Sequence, residues 1–240
     1  MSPDPARALA AEIDAAHRER RLLDAAGRAL DLETAYAAQR ELTALRTARG
    51  ARRIGWKLGY TSEAMRAQMG VAEPNAGPLL DSMLVPDGGR VPEALVHPRV
   101  EPEIALRVGP DGAPEAALAA LEIVDSVWRD YRFTLETNTA DGSSAAGVVL
   151  GPELPLDGLD TLPVELRHNG TPAGMATGAA AMGHPRSAFD WLAGRLAQWG
   201  ERLEPGDVVI TGGLTVAVAL EPGDAVEAAF GDDVVVRTHR

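Results

Sequence analysis

The chain has 240 residues, 45% of them hydrophobic, which is enough for a globular core, and its 23 basic against 35 acidic residues give a net charge of −12. A charge of that sign repels nucleic acid and anionic membrane surfaces, so neither is an expected partner. There are no cysteines, which removes disulfides, thiolate metal sites and cysteine nucleophiles together and leaves any catalysis to oxygen and nitrogen groups.

The N-terminus, MSPDPARALAAEIDAAHRERR, lacks the basic start and apolar core of a secretion signal, and no apolar run approaches bilayer length, so a cytoplasmic protein is expected. Residues from about Pro5 to Arg21 and from Asp31 to Arg49 place Leu9, Ile13, Ala16 and then Tyr36, Leu42, Leu45 at helical spacing, which predicts two helices. After Gly50 short β-prone runs alternate with Gly and Pro turns, as in RRIGWKLGYTS, DSMLVPDGG, VEPEIALRV, LEIVDSVW and AAGVVLG. One more helix is predicted from Ser187 to about Glu201, with Ser187 and Asp190 spaced as a capping box and Trp191, Leu192, Leu196 and Trp199 as its buried stripe. The phrase LEPGD then occurs twice, at Leu203 to Asp207 and at Leu220 to Asp224, each time before a valine-rich strand, which suggests a meander packed into a sandwich or roll. No linker divides the chain, so the expected organisation is a helical N-terminal segment, residues 1–50, followed by a catalytic domain, residues 51–240.

Glu101 and Glu103 stand two residues apart in HPRVEPEIALRV, while Val100, Ile104, Leu106 and Val108 all fall on the opposite parity. In a strand, both carboxylates would project from the face that the aliphatic residues leave free. A third carboxylate, Glu122, lies in LAALEIVDSVW, where Leu121, Ile123 and Val124 predict burial. A buried carboxylate needs a proton, a cationic partner or a metal. Three carboxylates suit Mg2+ or Mn2+, while an ion pair of Glu122 with Arg129 or Arg132, and a solvated face for the other two, are the plainer alternatives. Lys57 stands in an apolar, glycine-flanked run, where it either snorkels to the surface or serves a site.

These segments occur together with others in a familiar order: GWKLGYTS (Gly55 to Ser62), EPEIA (Glu101 to Ala105), LEIVDS (Leu121 to Ser126), ADGSS (Ala140 to Ser144), GHP (Gly183 to Pro185) and TGGLT (Thr211 to Thr215). From about Ala35 onward the chain resembles the fumarylacetoacetate hydrolase superfamily, in its branch of 2-keto-4-pentenoate hydratases and 2-oxo-3-hexenedioate (4-oxalocrotonate) decarboxylases of meta-cleavage pathways. The resemblance implies an α+β fold, a mixed β-sandwich roll with the helical N-terminal segment in front. It implies Mg2+ (or Mn2+) held by Glu101, Glu103 and Glu122, and an active-site lysine at Lys57. Glutamate rather than aspartate at position 122 points to the hydratase and decarboxylase branch. Asp81, Asp125, Ser144 and Thr211 lie in segments that line the substrate pocket of relatives, and relatives are homo-oligomers that also associate with a pathway hydratase.

The resemblance thus implies a metal-dependent lyase acting on a small 2-keto acid. Decarboxylation of a 2-oxo-3-enedioate through a metal-chelated dienolate is preferred, because ITGGLT and RDYRF resemble the decarboxylases; hydration of 2-hydroxypenta-2,4-dienoate is the runner-up. The chain departs from the family at Gly142, where asparagine is usual, and at Val127, where arginine is frequent. Those departures motivate a reading from another class, a non-catalytic partner of a true hydratase. His97 and His184 are expected to be turn residues and not ligands.

Overall fold

The computed structural model describes residues 4–63, 66–67 and 70–240. Helix α1 (Pro5–Glu19) begins where Asp4 accepts a hydrogen bond from the Ala6 amide at 3.1 Å, with proline in the first turn. Helix α2 (Leu32–Thr47) begins where Asp31 accepts from the Thr34 amide at 2.7 Å. Their inner faces are mostly small, Ala6, Ala10 and Ala16 against Ala35 and Ala38, with Ile13 and Leu42 filling the space between. Val127, Trp128 and Ala140 complete this cluster, so the N-terminal helices are packed onto the segment that follows the carboxylate strands.

Among the described residues, twelve strands follow in two sheets. The large sheet runs β2 (Asn75–Leu80), β1 (Arg53–Gly59), β9 (Val208–Ile210), β4 (Arg99–Val108), β5 (Pro114–Val124), β6 (Ala145–Leu154), β3 (Leu84–Val85), with β10 (Val218–Ala219) also on β4. The small sheet is β12 (Val234–His239), β11 (Ala225–Phe230), β7 (Pro163–His168), β8 (Thr171–Thr177). Ile104, Leu106, Leu121 and Ile123 of the large sheet meet Leu166, Val226, Ala228, Phe230 and Val236 of the small one in the main core. Side chains alternate along β4, so Glu101, Glu103 and Ala105 face away from that core, toward the side that holds Leu79, Leu80, Val148 and Ile210. A short helix α3 (Leu135–Ala140) lies on that side, and α4 (Pro185–Gln198) adds Ala188, Phe189, Leu192 and Leu196 to the main core.

Two local expectations are corrected. The helix predicted from Ser187 begins at Pro185, because the His184 ring accepts from the Arg186 amide at 2.9 Å and caps it; Asp190 pairs with Arg186 at 2.7 Å instead of closing a capping box. The two LEPGD turns do share a geometry, with Asp207 accepting from Glu204 and Asp224 from Glu221, at 3.0 and 2.8 Å. They do not form a meander, since β9 enters the middle of the large sheet, parallel to β1 and antiparallel to β4, while β11 belongs to the small sheet. No helix of the described residues is long and apolar enough to cross a membrane.

Candidate active site

Pairing β4 with β5 sets Glu101 directly opposite Glu122, with Glu103 two residues further along the same face of β4. One oxygen from each of Glu101, Glu103 and Glu122 lies within 4.8 Å of the others. Glu103 and Glu122 are fully buried and Glu101 half-buried, so the three carboxylates form a pit that solvent reaches at Glu101. The solvated-face alternative therefore does not hold for Glu103.

Lys57 enters this pit from β1. In a flat sheet β1 and β5 would stand ~14 Å apart, three strand spacings of ~4.8 Å, and a lysine could not bridge them. The sheet curls between them across the three-residue β9, and Lys57 Nζ reaches Glu122 Oε2 at 3.1 Å. The ion-pair partner of Glu122 is thus Lys57, not Arg129, which pairs at the surface with Asp24 at 3.3 Å, nor the exposed Arg132. Lys57 also donates to the Ser143 carbonyl at 2.9 Å.

Two loops shape the walls. After β9 the chain runs Thr211-Gly212-Gly213 past the carboxylates, and the Gly212 amide donates to Glu103 Oε2 at 2.7 Å. A side chain at Gly213 would collide with the Glu101 carboxylate, and Gly212, at φ +106°, lies against Thr61. The other wall is Gly142-Ser143-Ser144, whose φ values of 65°, 56° and 58° are all left-handed. That conformation costs an ordinary residue ~1 kcal/mol or more, and here a buried network holds it. Ser143 Oγ donates to Asn75 Oδ1 at 2.8 Å, the Asn75 amide donates to Asn138 Oδ1 at 3.0 Å and Thr139 Oγ1 at 2.9 Å, and the Asn138 amide donates to Ser144 Oγ at 2.7 Å. Gln39 of α2 ties the same layer down through the carbonyls of Ala76 and Thr139 at 2.9 and 2.8 Å. Beneath it Asp141 accepts from the Ser126 hydroxyl at 2.9 Å and the Val127 amide at 3.0 Å and meets the His17 ring of α1 at 2.6 Å.

The remaining expected site residues scatter. Ser144 belongs to the wall, adjacent to the carbonyl that holds Lys57. Thr211 is next to the pit, but its hydroxyl is spent on the Ile104 carbonyl at 2.9 Å. The Asp125 carboxylate accepts from the Val96 and His97 amides at 2.8 and 2.9 Å and so anchors the entry to β4. Asp81 sits beyond the far end of β2, bonded to the Arg52 amide at 2.9 Å and paired with its guanidinium at 3.1 Å, away from the cluster. Ser143, Asn75, Asn138 and the Gly212 amide were not singled out by the sequence; an uncharged asparagine in NAG or TNT carries no signal until the fold buries it.

Burial drives all three carboxyl pKa values upward. Glu101 is pushed up to about 8 by burial and by repulsion from Glu122, with Lys57 opposing. Glu103 is raised well above the usual carboxylate range by burial and by its two neighbours, and Glu122 is raised by burial although Lys57 pulls it down. Lys57 is pulled down by burial, but the three carboxylates outweigh this and raise its pKa, so it remains an ammonium. One ammonium against three carboxylates leaves two negative charges uncompensated when all are ionised. Glu103 Oε1 and Glu122 Oε1 are buried with no hydrogen-bond donor among the described residues. Buried acceptors of that kind, all oxygen and two charges short of neutrality, fit a hard divalent cation, which takes carboxylate oxygens at ~2.0–2.6 Å.

Residues 73–238 match the fumarylacetoacetate (FAA) hydrolase C-terminal family, and the chain belongs to that family, with the mixed sandwich roll expected of it. Within it, the chain is 39% identical over 211 residues to a 4-oxalocrotonate decarboxylase of a Pseudomonas species, 82% of each chain being covered. It is also 39% identical over 207 residues to the 2-keto-4-pentenoate hydratase of Paraburkholderia phymatum, covering 80% of this chain and 79% of the relative. The structure of 4-oxalocrotonate decarboxylase from Pseudomonas putida G7, complexed with magnesium and adipate, superposes with a TM-score of 0.94 at 31% identity, over 100% of this chain and 98% of that one.

Proposed function

We propose that this chain is a divalent-metal-dependent lyase that removes CO2 from a 2-oxo-3-enedioate of the 4-oxalocrotonate type, with Glu101, Glu103 and Glu122 as the metal ligands and Lys57 as the catalytic residue. The observation that carries this reading is the buried trio of carboxylates with an ammonium 3.1 Å from one of them. Relatives named as decarboxylases and hydratases, both lyases, and a neighbouring structure with magnesium support it.

Mg2+ or Mn2+ held by the three glutamates would supply positive charge that binds the 2-oxo acid end and draws electron density toward its keto oxygen. The reaction breaks the bond between C5 and the C6 carboxylate. Its electron pair becomes the C4–C5 double bond, the C3–C4 double bond shifts to C2–C3, and the keto oxygen takes the charge and then a proton, giving 2-hydroxypenta-2,4-dienoate and CO2. Lys57 would help at that oxygen: its ammonium is buried, fixed by Glu122 and the Ser143 carbonyl, and able to donate a hydrogen bond or a proton. The burial of Glu103, Glu122 and Lys57 lowers the local dielectric, which strengthens these interactions. Of the other candidates, Ser144 and Thr211 position the walls, Asp125 sets the entry to β4, and Asp81 is left outside the substrate-binding set.

The helical segment, residues 1–50, acts with the catalytic domain, residues 51–240, since Gln39 and His17 buttress the wall that carries Ser143. Mass measurement in solution, alone and with a pathway hydratase, tests self-association and that partnership. The assignment is tested by following CO2 and enol absorbance with Mg2+ and 2-oxo-3-hexenedioate. Stoichiometric CO2 is expected; no CO2, together with hydration of 2-hydroxypenta-2,4-dienoate, transfers the assignment to the hydratase that is equally similar in sequence.

A further inference from the structure

Arg99 opens β4 on the same face as Glu101 and Glu103. It stands two residues before Glu101, a step of ~6.8 Å along a strand. Two other arginines are occupied: Arg129 pairs with Asp24 at 3.3 Å, and Arg66 donates to the Tyr60 and Thr61 carbonyls at 2.8 Å. Arg99 forms no salt bridge among the described residues, although its charge pulls down the Glu101 carboxyl nearby, and its guanidinium lies 4.3 Å from the centre of the Tyr131 ring.

That ring is placed with effort. The Tyr131 hydroxyl donates to the His97 and Val124 carbonyls at 2.9 and 3.1 Å, its face stacks with His97 at 4.6 Å and Phe133 meets it edge-on at 6.1 Å. Asp130 and Tyr131 are both left-handed, at φ 56° and 55°, and neither is glycine. Two such residues in succession cost on the order of 2 kcal/mol, and nothing in the carboxylate pit requires them. What they accomplish is a rigid platform under Arg99. A guanidinium lying on an aromatic face keeps the N–H groups of its edge free for a carboxylate, in a planar fork that matches two oxygens.

We propose that Arg99, presented by Tyr131, is the specificity residue that receives the far carboxylate of a dicarboxylic substrate. The inference rests on the reading that the 2-oxo acid end binds at the glutamates. From C2 to C6 of a six-carbon chain is ~5 Å, four zigzag C–C bonds of ~1.5 Å, so a substrate seated at Glu101 extends to the neighbourhood of Arg99. A half-exposed arginine on a ring also suits a carboxylate that must leave. It attracts the dianion through a screened interaction that holds ground state and transition state nearly alike, instead of burying the departing charge in a tight pair that would raise the barrier.

The test is calorimetric binding of 2-oxohexanedioate and of 2-oxohexanoate, which lacks the far carboxylate, to the Mg2+-loaded protein. Wild type is expected to prefer the dioate by about tenfold, the scale of one exposed charge-assisted hydrogen bond. Arg99→Gln should weaken the dioate to the level of the monoacid while leaving the monoacid unchanged, and Arg99→Lys should keep part of the preference. No preference in the wild type, or equal weakening of both ligands in Arg99→Gln, overturns the inference. Preference for the dioate with no CO2 released from 2-oxo-3-hexenedioate would instead sink the decarboxylase reading and leave the subsite standing.

Discussion

At the scale of single residues the site turns on a charge difference between Lys57 and the glutamates around it. Removing the ammonium without disturbing packing separates its two effects, on the metal and on the chemistry. Lys57→Met leaves three carboxylates with no internal counter-charge, so affinity for Mg2+ should hold or rise, while CO2 release falls by ~10²–10⁴-fold, the usual scale for a proton-transferring side chain. CO2 release that stays at the wild-type rate in saturating Mg2+ would show that Lys57 only organises the pit. The three glutamates were legible in the sequence because strand parity and apolar neighbours are local properties: Val100, Ile104 and Leu106 predict the free face of β4, and Leu121 and Ile123 predict the burial of Glu122. The partner of Glu122 was not legible from spacing, since Lys57 comes within 3.1 Å only through the curl of the sheet. The Arg52 contacts of Asp81 were not legible either, as membership in a motif says nothing about which end of a strand a residue lies beyond.

At the scale of elements, two glycine-bearing loops decide how close backbone and carboxylates can come. Gly213 has no room for a Cβ beside the Glu101 carboxylate. Gly213→Ala is therefore expected to fold, to displace that carboxylate and to lower Mg2+ affinity by ~10–100-fold, the range seen when a ligand's support is disturbed; unchanged affinity by titration would remove the loop from the account. The departures from the family pattern also find places. Gly142 occupies a left-handed position that glycine adopts without strain, and Val127 fills the cluster beneath α1 and α2 while its amide binds Asp141. Neither breaks the pit, which weakens the motive for a non-catalytic partner. Helices α1 and α2 could be read from periodicity, but the start of α4 could not, because a histidine side chain caps it. The doubled LEPGD phrase gave the turns correctly and the sheets wrongly, since a turn fixes its own geometry and not which strand edge lies waiting.

For the whole molecule, the buried carboxylates make stability depend on pH and on metal. Unfolded, the glutamates titrate near ~4.3; folded without metal, Glu101 titrates at about 8, with Glu103 and Glu122 also raised. Between those limits the folded state holds more protons than the unfolded one, so the sign of the linkage is that stability falls as pH rises. Scanning calorimetry in chelator should show the unfolding midpoint dropping from roughly pH 5 to pH 8 through this cluster, and saturating Mg2+ should abolish the drop, because the cation replaces the protons. A midpoint in chelator that rises over the same range would contradict the burial of ionisable glutamates.

The most direct test is a titration of Mn2+ into the wild-type protein and Glu122→Gln, read by calorimetry and by electron paramagnetic resonance. Glutamine keeps the shape of the side chain and removes the charge that both Lys57 and a cation need. The account predicts one Mn2+ per wild-type chain and binding at least ~100-fold weaker in the variant. Equal affinity in the two proteins would mean that the cation, if it binds, is held elsewhere.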